Sequence, residues 1–108
     1  MAMDLAALCY ALTRSFPQDE LFGMTSQIRQ ASASIAANIA EGHGREHSGS
    51  FVQFLRIAQG SLKETETHLL LAARVALVAQ EDIKPLIEKC EEIGKMLRSL
   101  VRAIQDKK

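Results

Sequence analysis

Apolar residues recur along this chain at steps of three and four, the repeat that lines up one face of an α-helix. Leu5, Leu8, Leu12 and Phe16 mark the first such face and predict a helix over Met3–Ser15. Pro17 ends it, because the residue before a proline is pushed out of the α region. Gln18–Met24 reads as a connection punctuated by Gly23. Ile28, Ala31, Ile35 and Asn38, with Ile39 beside them, predict a second helix over Ser26–Glu41 with Thr25 as its N-cap. Ser32, Ala33, Ser34, Ala36 and Ala37 fill much of the rest, small enough for another helix to approach closely. Gly42 and Gly44 are expected to stop this helix in the left-handed C-cap conformation.

The third helix is expected to begin at Ser48–Ser50, with Ser50 and Gln53 as a capping box, and to run to about Ala79. Phe51, Leu55, Ala58, Leu62, Thr65, Leu69, Ala72, Ala76 and Ala79 form a sustained heptad seam. At 1.5 Å per residue this makes a rod of ~45 Å. Gly60 lies inside it, at a cost of up to about 1 kcal/mol relative to alanine. A fourth helix starts near Glu81 and carries Ile83, Leu86, Cys90, Ile93, Leu97, Leu100 and Ile104 on the same rhythm. Pro85 crowds the carbonyl of Glu81, which predicts a kink or a late start. Glu88, Glu91 and Glu92 come early, and Lys95, Arg98, Arg102, Lys107 and Lys108 late, an order that suits the helix dipole. Four amphipathic helices with short joints predict an all-α fold, an antiparallel up-down-up-down four-helix bundle.

The third helix has more apolar surface than one seam needs. Between Leu69 and Ala79 every residue except Arg74 is apolar. Ile57, Leu71 and Val78 form a second row, and Leu70 with Leu77 a third. A helix apolar nearly all round is buried nearly all round. The choice is between a stretch wrapped by its own neighbours and a subunit interface. Exposed apolar patches of this kind mark association sites, so Leu70, Leu71, Leu77 and Val78 are the expected subunit contacts.

Composition narrows the class. The 108 residues make one domain, 1–108, with 47% hydrophobic and 5% aromatic residues and no Trp. Thirteen Lys and Arg balance thirteen Asp and Glu, which disfavours a chain that simply coats nucleic acid but leaves room for a local basic face. Cys9 and Cys90 stand far apart in no CxxC pairing, so no zinc or redox motif is present. The first residues lack the basic start of a signal peptide. No stretch reaches the ~20 apolar residues of a membrane span. The expectation is a cytoplasmic protein with free thiols and no membrane role.

Candidate chemistry is sparse. His43 and His47 have metal-pair spacing, but Gly42, Gly44 and Gly49 put them on a loop, and no third ligand lies nearby. Glu64, Glu66 and His68 evoke a di-iron bundle, but that chemistry needs Glu-x-x-His on two helices and none occurs here. No phosphate loop or nucleophile elbow is present. These absences predict a non-enzymatic protein with no cofactor and no small-molecule substrate. Asn38, on the apolar face of the second helix, is expected to hydrogen-bond backbone or a neighbouring helix and fix register. Basic residues cluster from Lys95 to Lys108, and Lys95, Arg98 and Arg102 share a face. Arg29, Arg45, Arg56 and Lys63 would extend that surface if the helices bring them together. These seven are the candidate phosphate contacts, weighed against a solvated, dipole-matched face. No aromatics interleave with them, so base stacking is not supported.

Several segments carry a family likeness. They are Leu12-Thr13-Arg14-Ser15-Phe16-Pro17, Phe22-Gly23-Met24-Thr25-Ser26-Gln27-Ile28-Arg29-Gln30-Ala31, Ser34-Ile35-Ala36-Ala37-Asn38-Ile39-Ala40-Glu41-Gly42, and Phe54–Leu62 with Glu64–Thr67. Together they resemble the bacterial four-helix-bundle proteins associated with intervening sequences of large-subunit ribosomal RNA. The likeness spans Leu5 to about Ala103, and Thr25–Arg29 and Asn38–Gly42 are its most specific parts. It implies a cytosolic homopentamer. A related branch, the accessory variability determinant of diversity-generating retroelements, is a basic pentamer that binds nucleic acid and a reverse transcriptase. This chain departs from the branch in its neutral charge, and from the family in Phe22, where Tyr is frequent, and Gln30, where Arg or Lys is frequent. The resulting expectation is a homopentameric scaffold or adaptor whose partner is structured RNA or a nucleic-acid enzyme. The alternatives are a protein-interaction module with no nucleic-acid role and, third, a metal-dependent bundle enzyme.

Overall fold

The computed structural model describes residues 1–106. Four helices follow one another: α1 (Ala2–Thr13), α2 (Ser26–His43), α3 (Ser48–Arg74) and α4 (Gln80–Asp106). The described residues contain no strand. Each helix packs on the next, and α4 returns to α1, which closes a four-membered ring of helices. The bundle measures 48 × 23 × 18 Å. α3 and α4, of 27 residues each, set its length, at ~40 Å of helix apiece.

The core is built from the predicted seams. α3 buries Leu55, Ala58, Leu62, Thr65, Leu69 and Ala72. α4 buries Ile83, Leu86, Cys90, Ile93 and Leu97 of its predicted seam, and then Val101 in place of the expected Leu100, with Leu100 and Ile104 half-buried; α2 adds Ile28, Ala31 and Ile35. The α1 face differs from the expected one. Leu5, Cys9 and Thr13 are buried while Leu8 faces water. Buried hydroxyls are satisfied locally: Thr65 donates to the Ser61 carbonyl at 2.8 Å and Ser32 to that of Arg29 at 3.2 Å. Burial pushes the Cys9 thiol up to about 11 and the Cys90 thiol up to about 12, from an ordinary 9.0.

Helix ends differ from expectation for identifiable reasons. α3 stops at Arg74, five residues before Ala79. There Ala76 takes a left-handed φ of 63°. The Ala76 amide donates to the Ala73 carbonyl and the Leu77 amide to that of Ala72. This is a Schellman ending with alanine at the position glycine favours. Leu77 and Val78 then fold onto the core.

Gly42, expected to stop α2, lies buried within it. No glycine has a positive φ, and Gly44 ends the helix at φ −81°. His43 is therefore helical rather than in a loop, with its ring 4.9 Å from that of Phe51. Thr25 makes no side-chain cap, because α2 runs on from a π turn at Leu21–Thr25 that follows a 3-10 turn at Gln18–Glu20. The expected Ser50–Gln53 box is not formed. α3 starts at Ser48, with extended His47 preceding it. Pro85 does not delay α4, which starts at Gln80 with the proline inside.

The α2–α3 contact is close. The Ser34 and Ser61 hydroxyls share a 2.9 Å hydrogen bond across it. Asn38 donates to the Ser34 carbonyl at 2.8 Å and to its hydroxyl at 3.0 Å. Asn38 thus buttresses the serine that spans the helices instead of spanning them itself.

Candidate nucleic-acid interface

α3 and α4 run antiparallel, and their outer faces leave a groove between them. Its wider part, about 360 Å³, has Leu62, Cys90 and Gly94 as floor and Gln59, Lys63, Glu66, Glu91 and Arg98 around it. A second part of about 210 Å³ is lined by Arg56, Arg98, Val101, Arg102 and Gln105. Arg98 belongs to both, so the groove is continuous at that residue.

Gly94 helps make the groove. It is buried against α3, and a Cβ there would lie 3.5 Å from Leu62 Cδ2 and 3.4 Å from Arg98 Nη1. The Arg98 guanidinium therefore lies back over the backbone at Gly94. Arg98 and Arg102 are one helical turn apart, with Arg56 opposite them on α3. Arg56 Nη1 donates to Gln59 Oε1 at 3.2 Å. Among the described residues no ion pair engages Arg56, Arg98 or Arg102. Lys63, by contrast, sits 3.4 Å from Glu66. The groove is thus graded. Both signs line the wide part, and three arginines without a carboxylate line the narrow part.

Of the seven predicted basic residues, the fold gathers four: Arg56, Lys63, Arg98 and Arg102. Lys95 is exposed but lines neither part. Arg29 is drawn to the α1–α2 side, where its Nε donates to Thr13 Oγ1 at 2.8 Å and its guanidinium lies 4.8 Å from the Tyr10 ring. Arg45 pairs with Glu41 and stacks 4.9 Å over Phe54. These two tie helices together away from the groove; Glu41 neutralises Arg45, whereas Arg29 has no ion pair among the described residues. Lys107 and Lys108 lie outside the described residues. Sequence reasoning missed Gln59, Gln105 and Gly94. Gly94 had a readable signal, a glycine inside a strong heptad seam, four residues before Arg98.

The predicted subunit contacts divide. Leu70 and Leu71 face solvent, about half exposed, while Leu77 and Val78 pack on the core of their own chain. Among the described residues no group of three His, Cys, Asp or Glu side chains is placed to hold a metal. No described helix is long and apolar enough to cross a membrane.

Comparison with known proteins agrees with this architecture. A crystal structure described as a protein of unknown function from the S23 ribosomal protein family, from Bacteroides thetaiotaomicron, superposes with a TM-score of 0.78. It is 29% identical and the match covers 93% of this chain and 90% of that one. No curated protein matches. Residues 1–99 match the family described as 23S rRNA-intervening sequence protein, and the chain belongs to that family.

Proposed function

We propose that this chain is a non-enzymatic, cytoplasmic scaffold that assembles as a homopentamer and holds a nucleic-acid backbone in the α3–α4 groove. The observation that carries this reading is the convergence of Arg56, Arg98 and Arg102, unpaired, on a groove segment with no carboxylate. Guanidinium groups grip phosphate oxygens through paired N–H donors. No aromatic side chain lines either part, so the contact is to phosphates and not to stacked bases. Repetition around a symmetric assembly multiplies such contacts. The partner is structured RNA or an enzyme acting on nucleic acid, in keeping with the rRNA association in the family's name.

A fluorescence titration with a structured RNA at several salt concentrations tests the reading. Affinity should fall steeply with salt. Arg98→Glu combined with Arg102→Glu should abolish binding and leave the helical content unchanged. Binding that is absent at low salt, or insensitive to salt, removes the phosphate contact. Glu66 and Glu91 in the wide part favour a second reading, docking of a protein with charges of both signs. A partner captured equally well after nuclease treatment would select it.

A further inference from the structure

Away from the α3–α4 groove, a pocket of about 430 Å³ lies where α1 gives way to α2. That volume falls within the range of about 300–1,000 Å³ in which small-ligand sites lie. Buried Thr13, Phe16 and Thr25 form its floor, and exposed Arg14, Gln18 and Leu21 its rim. Half-buried Arg29 lines it from α2. Among the described residues no acidic side chain lines it.

Arg29 is held in place within the protein. Its Nε donates to Thr13 Oγ1 at 2.8 Å, and that hydroxyl donates in turn to the Cys9 carbonyl at 2.8 Å. The Tyr10 ring lies 4.8 Å from the centre of the guanidinium. A guanidinium has five N–H donors. Among the described residues only the one on Nε is taken, which leaves those on the two Nη atoms for another partner.

Neither Arg14 nor Arg29 has an ion-pair partner among the described residues. The acids next in sequence do not serve. Glu20 is committed to the Met24 amide, at 3.1 Å, and Asp19 does not line the pocket. The end of α1 lies beside the pocket, but its last carbonyls are engaged. Ala11 accepts the Arg14 amide, Leu12 the Ser15 hydroxyl and Thr13 the Phe16 amide. An immobilised, partly desolvated cation without a counter-ion is costly until an anion joins it.

We propose that this pocket binds a phosphate monoester. Its two guanidiniums match the nearly doubly charged phosphate of such an ester at neutral pH. Each guanidinium fork can pair with two phosphate oxygens. Phe16 and Leu21 supply an apolar wall for the organic part of the ester. Arg29, already fixed, loses little freedom on binding. The pocket shares no residue with the α3–α4 groove, so it stands or falls independently of the proposed function.

Calorimetric titration with adenosine monophosphate, adenosine, inorganic phosphate and acetate tests the assignment. The titrations use the wild type and the Arg98→Glu, Arg102→Glu double variant, in which the groove arginines cannot contribute. Adenosine monophosphate and inorganic phosphate should compete for one site in both proteins, and adenosine and acetate should not bind. Arg14→Glu should weaken binding about 10-fold or more, the weight of one charge-assisted hydrogen bond, with circular dichroism unchanged because the position is exposed. Arg29→Lys keeps the charge but loses the fork, and should weaken binding as well. No binding of adenosine monophosphate at millimolar concentration, or binding that Arg14→Glu leaves unchanged, overturns the site. Binding seen in the wild type and lost in the double variant belongs to the groove and overturns it equally. Adenosine or acetate bound as tightly as the phosphates overturns the monoester as the ligand.

Discussion

Replacing Gly42 by alanine should destabilise the bundle, although alanine is the better helix former. A Cβ at Gly42 would lie 2.8 Å from Phe51 Cδ1, 3.2 Å from Phe51 Cε1 and 3.1 Å from Phe54 Cβ. The ring of Phe51 could swing aside, but Phe54 Cβ is tied to the α3 backbone, so relief requires the helices to part. Overpacking of this kind costs about 1–3 kcal/mol. The helix-propensity gain from glycine to alanine is about 1 kcal/mol, which leaves a net loss of about 1 kcal/mol. Gly60 provides the control. It lies inside α3, exposed, with nothing within 4 Å of a Cβ. Gly60→Ala should therefore keep the propensity gain and raise stability by about 0.5–1 kcal/mol. For a domain of this size 1 kcal/mol moves the midpoint by roughly 4–8 °C. Thermal unfolding of both variants at equal protein concentration gives the answer. If Gly42→Ala is as stabilising as Gly60→Ala, the close α2–α3 approach at Phe51 and Phe54 is not what the glycine serves.

Ala76→Gly should stabilise the chain by about 1 kcal/mol, because an L-residue in the left-handed region costs about 1–2 kcal/mol and glycine does not pay it, less its greater unfolded-state entropy; urea unfolding checks this, and an unchanged midpoint would refute the Schellman reading. The thiols of Cys9 and Cys90 titrate higher in the folded chain than in the unfolded one. Their contribution is therefore fully present below pH 9 and is lost as pH rises from about 9 toward 11–12. Stability should fall by about 1–3 kcal/mol between pH 9 and pH 10, measured by denaturant midpoint. The Cys9→Ala, Cys90→Ala double variant should lack that part of the fall, and an identical pH profile would refute the assignment to the thiols.

The helical periods were legible because burial on one face imposes them directly, and Leu55 to Ala72 on α3 and Ile83 to Leu97 on α4 are the inward residues that spacing predicts. Termini were less legible because they depend on partners far away in sequence. Gly42 looks like a stop signal until Phe51 and Phe54 are known to lie over it. Ala79 looks like the end of α3 because alanine is an unusual choice for a left-handed residue, so Ala76 gives no local sign of a stop. The site was half legible. Three-four spacing put Arg98 and Arg102 on one face, but only the antiparallel pairing of α3 with α4 could say that Arg56 joins them. Arg29 and Arg45 have the same charge in the sequence, and it took Thr13, Tyr10, Glu41 and Phe54 to show them engaged.

A net charge of zero describes this chain poorly as a partner for anything. The α3–α4 face carries two chemistries separated along its length. Arg56 and Leu70 are fourteen positions apart on one helix, ~21 Å along its axis. Arg98 and Arg102 stand beside the first, and Ile83 and Ile87 beside the second. A neighbouring copy seated on the apolar end would therefore leave the arginine end open. The carboxylates of the first α4 turn, Glu81 and Asp82, lie at the apolar end, so charges that cancel over the whole chain are already separated along α4. A symmetric assembly would repeat the arginine segment once per copy, and that repetition predicts that diluting the protein until the assembly dissociates weakens RNA binding even though no phosphate contact has been touched.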